Sequence, residues 1–381
     1  MIVSAVRTPF SRAFVGGLAG ASEFVLAEHV VAAAIDRAGV APESIDDILL
    51  GEVYQGGGCL ARHTALALGL PPDTPGVAVG GFCASGMLAV HLGVAGIRSG
   101  MKRAVVAGGV SSFSNSTVSY VMGSDPRSAA PSWAPSHPGA SSIPDGELTR
   151  IIGEAIAAKF DISRAELDEW ALRAHGRAAA AVDNGEFADE IVAVTLPDGQ
   201  IVDTDDTPLR GLDAEAAAAS APVMGPGGLT TVINQTGLTD GAAAVVMCDD
   251  RLVAEQQLTP LAVVTGWANV GAPADDSMAA VIVSVRRALA VAGNRLADID
   301  LFEVHDSFAA IGIAFERGLE LDRDKINVLG GGLALGHPFA SSGARVVTTL
   351  VHALRRRNLR TGVGVIVGAG GMATAIVLET V

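Results

Sequence analysis

The sequence is short of cysteine and of positive charge, and each shortage excludes a class of protein. Its 381 residues include three cysteines, Cys59, Cys83 and Cys248. Because this number is odd and the spacing irregular, we expect neither a disulfide framework nor a metal site, and we expect a reducing compartment. Lys and Arg number 26 against 41 Asp and Glu, which gives a formal net charge of −15. Such an acidic chain is poorly suited to bind nucleic acid or an anionic membrane surface.

Long apolar runs are also missing, and so is an export signal. No hydrophobic stretch reaches the roughly 18 to 20 residues that cross a bilayer. The chain starts with a segment that resembles a buried strand rather than a basic segment followed by an apolar one. We therefore expect a cytoplasmic protein without a membrane partner. The sequence is rich in hydrophobic residues, at 49%, and in glycine, with 46, a composition typical of closely packed α/β proteins.

Apolar patterning predicts alternating strands and helices in the first hundred residues. Beyond them, the composition changes to Ser, Pro, Asn and His before helical periodicity resumes. We predict an N-terminal half, residues 1–258, with an inserted and mostly helical lobe at about residues 111–230, and a C-terminal half, residues 259–381. The expected strands are residues 2–6, 48–53 and 104–106, and the expected helices are residues 24–38, 61–68, 151–160 and 163–184.

An internal repeat relates the two halves. Residues 38–50 align with residues 292–304 at a constant offset of 254, so that an Ala-Gly helix end and a following strand occur twice. A Ser-Gly pair at residues 85–86 precedes an apolar helix and a strand that ends in Gly-Gly, and residues 342–343 begin the same pattern. Two similar βαβ halves would place Cys83 and a Gly-His-Pro segment, residues 336–338, on facing loops of one cleft.

Cys83 is the candidate nucleophile. It lies between a short strand-like segment, residues 76–79, and an apolar helix-like segment, residues 88–97, after two glycines. At a strand-to-helix junction, free N–H groups and the positive end of the helix dipole would favour a thiolate. A cysteine in an apolar run is more often a packing residue. The glycine-rich approach and the second unit of similar design favour the nucleophile.

Two histidines are candidates for the acid and base. His337 lies in a glycine-rich segment, residues 330–343, from which its imidazole could accept the proton of Cys83. His305 follows a predicted strand, at the end of a sheet where function is usual in α/β proteins. A single loop histidine is more often structural. Two of them together with a cysteine at a helix start favour Cys/His chemistry.

Taken together, these segments resemble the thiolase family, the acyl-CoA C-acyltransferases, over essentially the whole chain. The resemblance implies an α/β thiolase fold with two similar βαβ halves in a layered αβαβα arrangement and an inserted, mostly helical loop domain. It also implies acetyl-CoA or a longer acyl-CoA as substrate, with coenzyme A a substrate rather than a permanently bound cofactor. The similar segments are residues 3–9, 83–86, 107–109, 159–164, 186–191, 234–244 and 336–338.

The resemblance also implies a role for each candidate residue. Cys83 would be acylated by the thioester while His337 accepts its proton. His305 lies in a His-Asp-x-Phe motif similar to that of sterol-carrier-protein-type and archaeal thiolases, and with His337 it would stabilise a thioester oxygen. The backbone N–H groups of Cys83 and Ala369 would form the second oxyanion hole. The residues expected to line the channel for coenzyme A are Thr236, Phe308 and Asn234.

The sequence departs from the family at the second catalytic cysteine. Where most thiolases have Cys-x-Gly-Gly-Gly, residues 367–371 begin with Val367. Sterol-carrier-type thiolases have that cysteine inside the His-Asp-Cys-Phe motif, where this chain has Ser307. A serine is far less acidic than a thiol, so Ser307 is at best a weak substitute. Cys59 lies in a region that approaches the dimer interface near the active site in the family. It is a candidate to replace the lost thiol, but we interpret it as a packing residue.

Three functions therefore remain open at this stage. The first is a thiolase that cleaves or forms a β-ketoacyl-CoA, in lipid or fatty acid metabolism. The second is a thiolase-like lyase or acyl hydrolase that has lost Claisen activity with the second cysteine. The third is a non-catalytic subunit that binds coenzyme A within a complex with another protein. The family resemblance implies a homodimer or a homotetramer in each case.

Overall fold

One mixed sheet runs through the molecule, and its strand order repeats in the two halves. The computed structural model describes residues 1–53, 58–118, 120–121, 130–131 and 148–381. The strands are β1 Ile2–Arg7, β2 Ser11–Arg12, β3 Asp47–Gly51, β4 Gly76–Val79, β5 Ala104–Ser111, β6 Tyr120–Val121, β7 Ala130–Pro131, β8 Val194–Thr195, β9 Ile201–Val202, β10 Thr239–Cys248, β11 Ala262–Gly271, β12 Leu301–Val304, β13 Thr361–Gly368 and β14 Met372–Thr380. The helices are α1 Glu23–Ala38, α2 Leu60–Ala67, α3 Ser85–Arg98, α4 Leu148–Lys159, α5 Arg164–Asp183, α6 Ala214–Ala219, α7 Asp250–Glu255, α8 Ser277–Ala292, α9 Ala309–Leu319, α10 Gly331–Leu335 and α11 Phe339–Arg356.

The sheet order is β12-β13-β14-β11-β1-β10-β5-β3-β4. In the N-terminal half β3 pairs with β5 in parallel, while β5 with β10 and β10 with β1 are antiparallel. In the C-terminal half β12 and β13 are parallel, while β13 with β14 and β14 with β11 are antiparallel. Within this sheet the two halves meet where β1 pairs with β11, at Ile2 and Ala262. The repeated pairing confirms the predicted α/β class with two similar halves.

The repeat predicted from the sequence is visible in the helix ends. Helices α1 and α8 each have 16 residues, and each ends in a glycine with left-handed backbone, Gly39 at φ 65° and Gly293 at φ 74°. A glycine is favoured there because it has no Cβ to clash in that conformation. Each helix is followed by a short 3-10 turn and then by a strand, β3 or β12. The offset of 254 residues is therefore structural.

Helices α3 and α11 form the layer between the two halves of the sheet. They pack on each other and on strands from both halves, whereas α1 and α2 cover one outer face and α8 the other. The two central helices cross at glycines: a Cβ on Gly86 would lie 2.5 Å from the carbonyl oxygen of Ala340, and one on Gly343 would lie 2.5 Å from the amide nitrogen of Met87. This crossing brings the N-terminal ends of α3 and α11 together.

Within the described residues, no helix has the length and apolar character needed to span a bilayer.

The chain leaves the sheet after β5 and returns with β10. Between them, α4 and α5 pack on α9, and α5 also packs on α10. The predicted capping box at the start of α5 is present, with Ser163 and Glu166 bonding each other's backbone. The predicted lobe, at about residues 111–230, includes residues 119, 122–129 and 132–147, which lie outside the described residues, so its limits stay a prediction.

Candidate active site

A hydrogen-bonded turn holds Cys83 between β4 and α3. Residues Phe82–Ala84 form one turn of 3-10 helix. The Ser85 hydroxyl accepts from the N–H of Gly81 at 2.9 Å and donates to the carbonyl oxygen of Phe82 at 2.6 Å. Phe82 adopts a left-handed backbone with φ 50°, which is strained for a bulky residue. Such strain is typical of functional turns, because the surrounding structure must maintain it.

Two backbone N–H groups point at the sulfur of Cys83. They belong to Cys83 itself and to Ala369, in the turn between β13 and β14. Burial nevertheless raises the pKa of the thiol to about 12, and the two N–H groups offset this only partly. The expectation of a thiolate is therefore wrong, because desolvation outweighs the helix N-terminus. Cys83 is a protonated thiol at neutral pH and needs a base to react.

His337 lies at the start of α11 and is held at two points. Its backbone N–H donates to Oγ1 of Thr239 at 3.1 Å, and its Nδ1 lies 2.7 Å from Oγ of Ser342. Burial, with a smaller contribution from the charge of Arg345, lowers the pKa of the imidazole to about 3. A hydroxyl can accept from an Nδ1–H, which leaves Nε2 free to act as a base. The turn that carries Cys83 packs directly on α11.

His305 follows β12 and lies against His337. The two ring centroids are 4.2 Å apart. Nδ1 of His305 lies 3.2 Å from Nη2 of Arg345, while Nε2 is buried without a hydrogen-bond partner among the described residues. The next residue, Asp306, is turned away from the rings, because its carboxylate accepts from Nε1 of Trp170 at 2.8 Å and from the N–H of Leu333 at 3.0 Å.

The predicted channel residues form a strip beside the two histidines. The N–H of Thr236 donates to the carbonyl oxygen of Ser307 at 2.8 Å, and residues 235 and 308 are bridged. Asn234 differs from the prediction in its surroundings. Its side chain is buried and bonds Asp168, the carbonyl oxygen of Leu229 and the N–H of Thr231. That network shapes the loop and leaves the amide no free donor for a substrate.

The structure does not bring a second cysteine to Cys83. All three cysteines lie in the described part of the chain. Cys59 donates to the carbonyl oxygen of Gly76 at 3.3 Å and packs against the core of the N-terminal half. Cys248 is buried at the end of β10, also in that core. Val367, where the resemblance implies that the second cysteine would lie, is 7% exposed near the end of β13.

The family of this chain is established by comparison with known proteins. The family model described as "Thiolase, N-terminal domain" matches residues 1–251, and "Thiolase, C-terminal domain" matches residues 258–380. This chain belongs to the thiolase family. It is 34% identical to the acetyl-CoA acetyltransferase of Escherichia coli (strain K12), over 100% of this chain and 98% of that protein. It is also 34% identical to a probable acetyl-CoA acetyltransferase of Dictyostelium discoideum, over 100% of this chain and 93% of that protein.

Solved thiolase structures have the same fold. Human mitochondrial 3-ketoacyl-CoA thiolase in complex with CoA superposes with a TM-score of 0.92 at 32% identity, covering 100% of this chain and 97% of that one. The acetyl-CoA acetyltransferase of Bacillus anthracis superposes with a TM-score of 0.90 at 32% identity, covering 100% and 98%. The thiolase fold inferred from the sequence is therefore confirmed.

Sequence reasoning missed three side chains of this thiolase cleft: Thr239, Ser342 and Arg345. Each contacts one of the two histidines, but each belongs to a segment that reads as ordinary strand or helix. Ser342 and Arg345 could have been found from their closeness to His337 in the sequence, because both follow it within the first turns of one helix. A charged residue in the first half of an otherwise buried helix was the one local indication of Arg345.

Proposed function

We propose that this chain is an acyl-CoA C-acyltransferase that carries the acyl group on Cys83. The observation that carries the proposal is the Cys83 turn, where two backbone N–H groups converge on the sulfur and which packs on the helix that follows the neutral His337. A neutral thiol and a neutral imidazole in one site are suited to concerted proton removal and nucleophilic attack. Membership of the thiolase family agrees with this chemistry.

The first half-reaction follows from these groups. Nε2 of His337 takes the proton as the Cys83 sulfur attacks the carbonyl carbon of the thioester. The N–H groups of Cys83 and Ala369 stabilise the negative charge on the former carbonyl oxygen, and removing one such donor typically costs about 10²- to 10³-fold in rate. The bond from carbon to the CoA sulfur then breaks, and His337 returns the proton to the departing thiolate.

In the second half-reaction, the acyl group passes from Cys83 to an acceptor. The N–H of His305 Nε2 can then stabilise the thioester oxygen of an incoming acyl-CoA. Thr236 and Phe308 line the approach beside these rings. Ser307 lies in the same strip and is the one hydroxyl that we propose as a weak replacement for the second cysteine.

The substrate class is supported by relatives rather than by a bound ligand. Relatives are named acetyl-CoA acetyltransferase, and one matching structure is a complex with CoA. We propose that coenzyme A and an acyl-CoA are substrates and that no cofactor is permanently bound.

A cytoplasmic homodimer or homotetramer is part of the proposal. Strand β4 lies at an edge of the sheet with Val77 42% exposed, which suits pairing with another chain.

A second function is favoured by Val367. An aliphatic side chain cannot exchange a proton, so the carbon acid of a Claisen reaction has no thiol to deprotonate it. Acyl transfer to Cys83 needs only His337 and the two N–H groups. A thiolase-like lyase or acyl hydrolase, in which water or another acceptor attacks the acyl-cysteine, would therefore keep the first half-reaction.

Mass spectrometry after incubation with acetyl-CoA tests the first function. We expect an acetyl group on Cys83, released CoA, and removal of the adduct by a second portion of CoA. The Cys83→Ala protein should show none of these and is the matched control. Free acetate without dependence on added CoA would favour the hydrolase. A wild-type protein that binds acetyl-CoA without forming an adduct would contradict both.

A further inference from the structure

A pair of buried charges lies behind His305. Arg345, on α11, is fully buried, and its Nη1 is ion-paired with Oε1 of Glu303 on β12, a residue that is 3% exposed. The other amine of the guanidinium, Nη2, lies 3.2 Å from Nδ1 of His305. The three side chains therefore form one continuous chain of contacts, which ends at the imidazole that lies against His337.

The guanidinium decides where the imidazole carries its proton. Arginine has donors and no acceptor, so Nδ1 of His305 must be the acceptor and the ring proton is on Nε2. Nε2 is buried and has no partner among the described residues. A buried donor left unpaired costs about 1 to 3 kcal/mol. That this N–H stays unpaired next to His337 indicates that it donates to an acceptor atom of the substrate.

A glycine opposite the ring keeps room for this contact. A Cβ on Gly332, in α10, would lie 2.4 Å from Nδ1 of His305 and 2.7 Å from Cε1. Any side chain at this position would displace the ring from the guanidinium. The ring is thus bounded by Gly332 on one side and by Arg345 on the other.

We propose that Arg345, anchored by Glu303, is a positioning residue that holds His305 as the Nε2–H tautomer and aims that N–H at the carbonyl oxygen of an acyl-CoA. The proposal rests on the proposed function, because the N–H is useful only when such an oxygen enters the cleft. Arg345 itself does not touch the substrate. It acts through Nδ1 of the imidazole.

The charges around the ring keep it neutral. The groups that face His305 are Arg345 and His337 from the α11 side and Glu303 on its own strand, with Asp306 next in sequence. Burial lowers the pKa of His305 well below its usual range, and His337 and Arg345 lower it further. Glu303 balances the guanidinium, although burial raises the pKa of its carboxyl to about 7. A second proton on the ring would be on Nδ1, opposite the N–H groups of Arg345, which cannot accept it.

Solid-state ¹⁵N spectra of histidine-labelled protein test the tautomer directly. The signals of His305 are assigned by their loss in His305→Asn. In the wild type we expect protonated Nε2 and bare Nδ1 from pH 5 to pH 9. In Glu303→Gln/Arg345→Met, which removes both charges together and leaves none unpaired, we expect a mixture of tautomers. Protonated Nδ1 in the wild type, or an unchanged tautomer in the double variant, overturns the proposal.

Kinetics separate a positioning role from a merely structural one. Exchange of labelled CoA into acetyl-CoA uses Cys83, His337 and the two backbone N–H groups. Cleavage of acetoacetyl-CoA by CoA needs His305 as well. In the double variant we expect the exchange rate to stay within about threefold and the cleavage rate, where the wild type cleaves, to fall about tenfold or more. A parallel fall of both rates indicates a structural role and overturns the proposal.

Gly332→Ala provides a second variant in case the double variant does not fold. It leaves Arg345 and Glu303 in place and should give the same tautomer mixture and the same selective loss. Gly176→Ala is the matched control, since a Cβ there meets nothing within 4 Å and the residue is exposed on α5. No CoA exchange in the wild type would refute the proposed function. Normal exchange with Nδ1-protonated His305 would refute the positioning role alone.

Discussion

Replacing Gly86 by alanine should separate the two central helices and with them the two catalytic residues. The new Cβ would lie 2.5 Å from the carbonyl oxygen of Ala340 and 3.0 Å from the amide nitrogen of Ala344. Carbon in van der Waals contact lies about 3.5 Å away, so α3 and α11 must move apart by about 1 Å. Both neighbours are backbone atoms and cannot rotate aside.

The magnitude follows from two opposing effects. Overpacking costs about 1 to 3 kcal/mol, while alanine in a helix gains about 0.5 to 1 kcal/mol over glycine. With both ranges at their midpoints, the net expectation is a loss of about 1 kcal/mol in the free energy of unfolding. Gly86 is three residues after Cys83, and Ala340 is three residues after His337. A shift of 1 Å between them should lower the rate of acyl transfer about 10²-fold.

Gly96→Ala, in the same helix, is the matched control. Its Cβ would meet Cγ of Lys102 at 3.1 Å, a flexible side chain that can move away. Thermal unfolding and labelled-CoA exchange are measured on both variants. Gly96→Ala should unfold at or slightly above the wild-type temperature with unchanged exchange, and Gly86→Ala should be worse in both assays. Equal behaviour of the two variants would refute the helix-crossing argument.

Three further predictions follow from the buried polar groups. Because the pKa of Cys83 is raised to about 12, its alkylation by iodoacetamide should be slow at pH 7 and should accelerate through pH 9. Peptide mass analysis measures the alkylation. A rate at pH 7 equal to that of a free thiol would contradict the burial argument. Ser342→Ala removes the partner of Nδ1 of His337 and should slow CoA release about tenfold. The control Ser284→Ala, which removes a buried hydroxyl in α8, should leave the rate unchanged. Equal rates in the two variants would show that Ser342 does not position the ring. Burial lowers the pKa of His91 to about 4, below its unfolded value of about 6.5. The neutral ring therefore stabilises the fold fully above about pH 6.5. As the pH falls towards 4 this stabilisation is lost, and at pH 5 the loss in the free energy of unfolding is about 2 kcal/mol. Urea unfolding should show a weaker acid dependence in His91→Gln, and an unchanged dependence would contradict this assignment.

Much of the fold could be predicted because it is encoded locally. The left-handed glycines that end α1 and α8, the capping box at Ser163 and the alternation of strands and helices all depend on residues close together in sequence. The repeat at a constant offset then implied two similar halves. Cys83 and His337 were identified for the same reason, since each lies beside glycines at a predicted junction.

The state of those residues depended on contacts far apart in sequence. A strand-to-helix junction suggested a thiolate at Cys83, but the turn at Ala369 and the crossing of α3 and α11 enclose the sulfur, and desolvation reverses the expectation. Asn234 was predicted to line the channel, yet the carboxylate of Asp168, 66 residues away in sequence, accepts a hydrogen bond from its amide.

By itself, the sequence determined the position of several helices and strands and the side chains available for chemistry, because propensity, capping and periodicity act over a few residues. Only the tertiary structure decided how those side chains are ionised and oriented. Desolvation keeps the Cys83 thiol protonated, Ser342 and Thr239 hold His337, and the Arg345 guanidinium places the proton of His305. Burial and hydrogen bonding at a site are sums over the groups that the fold brings together, and no local pattern in the chain contains them.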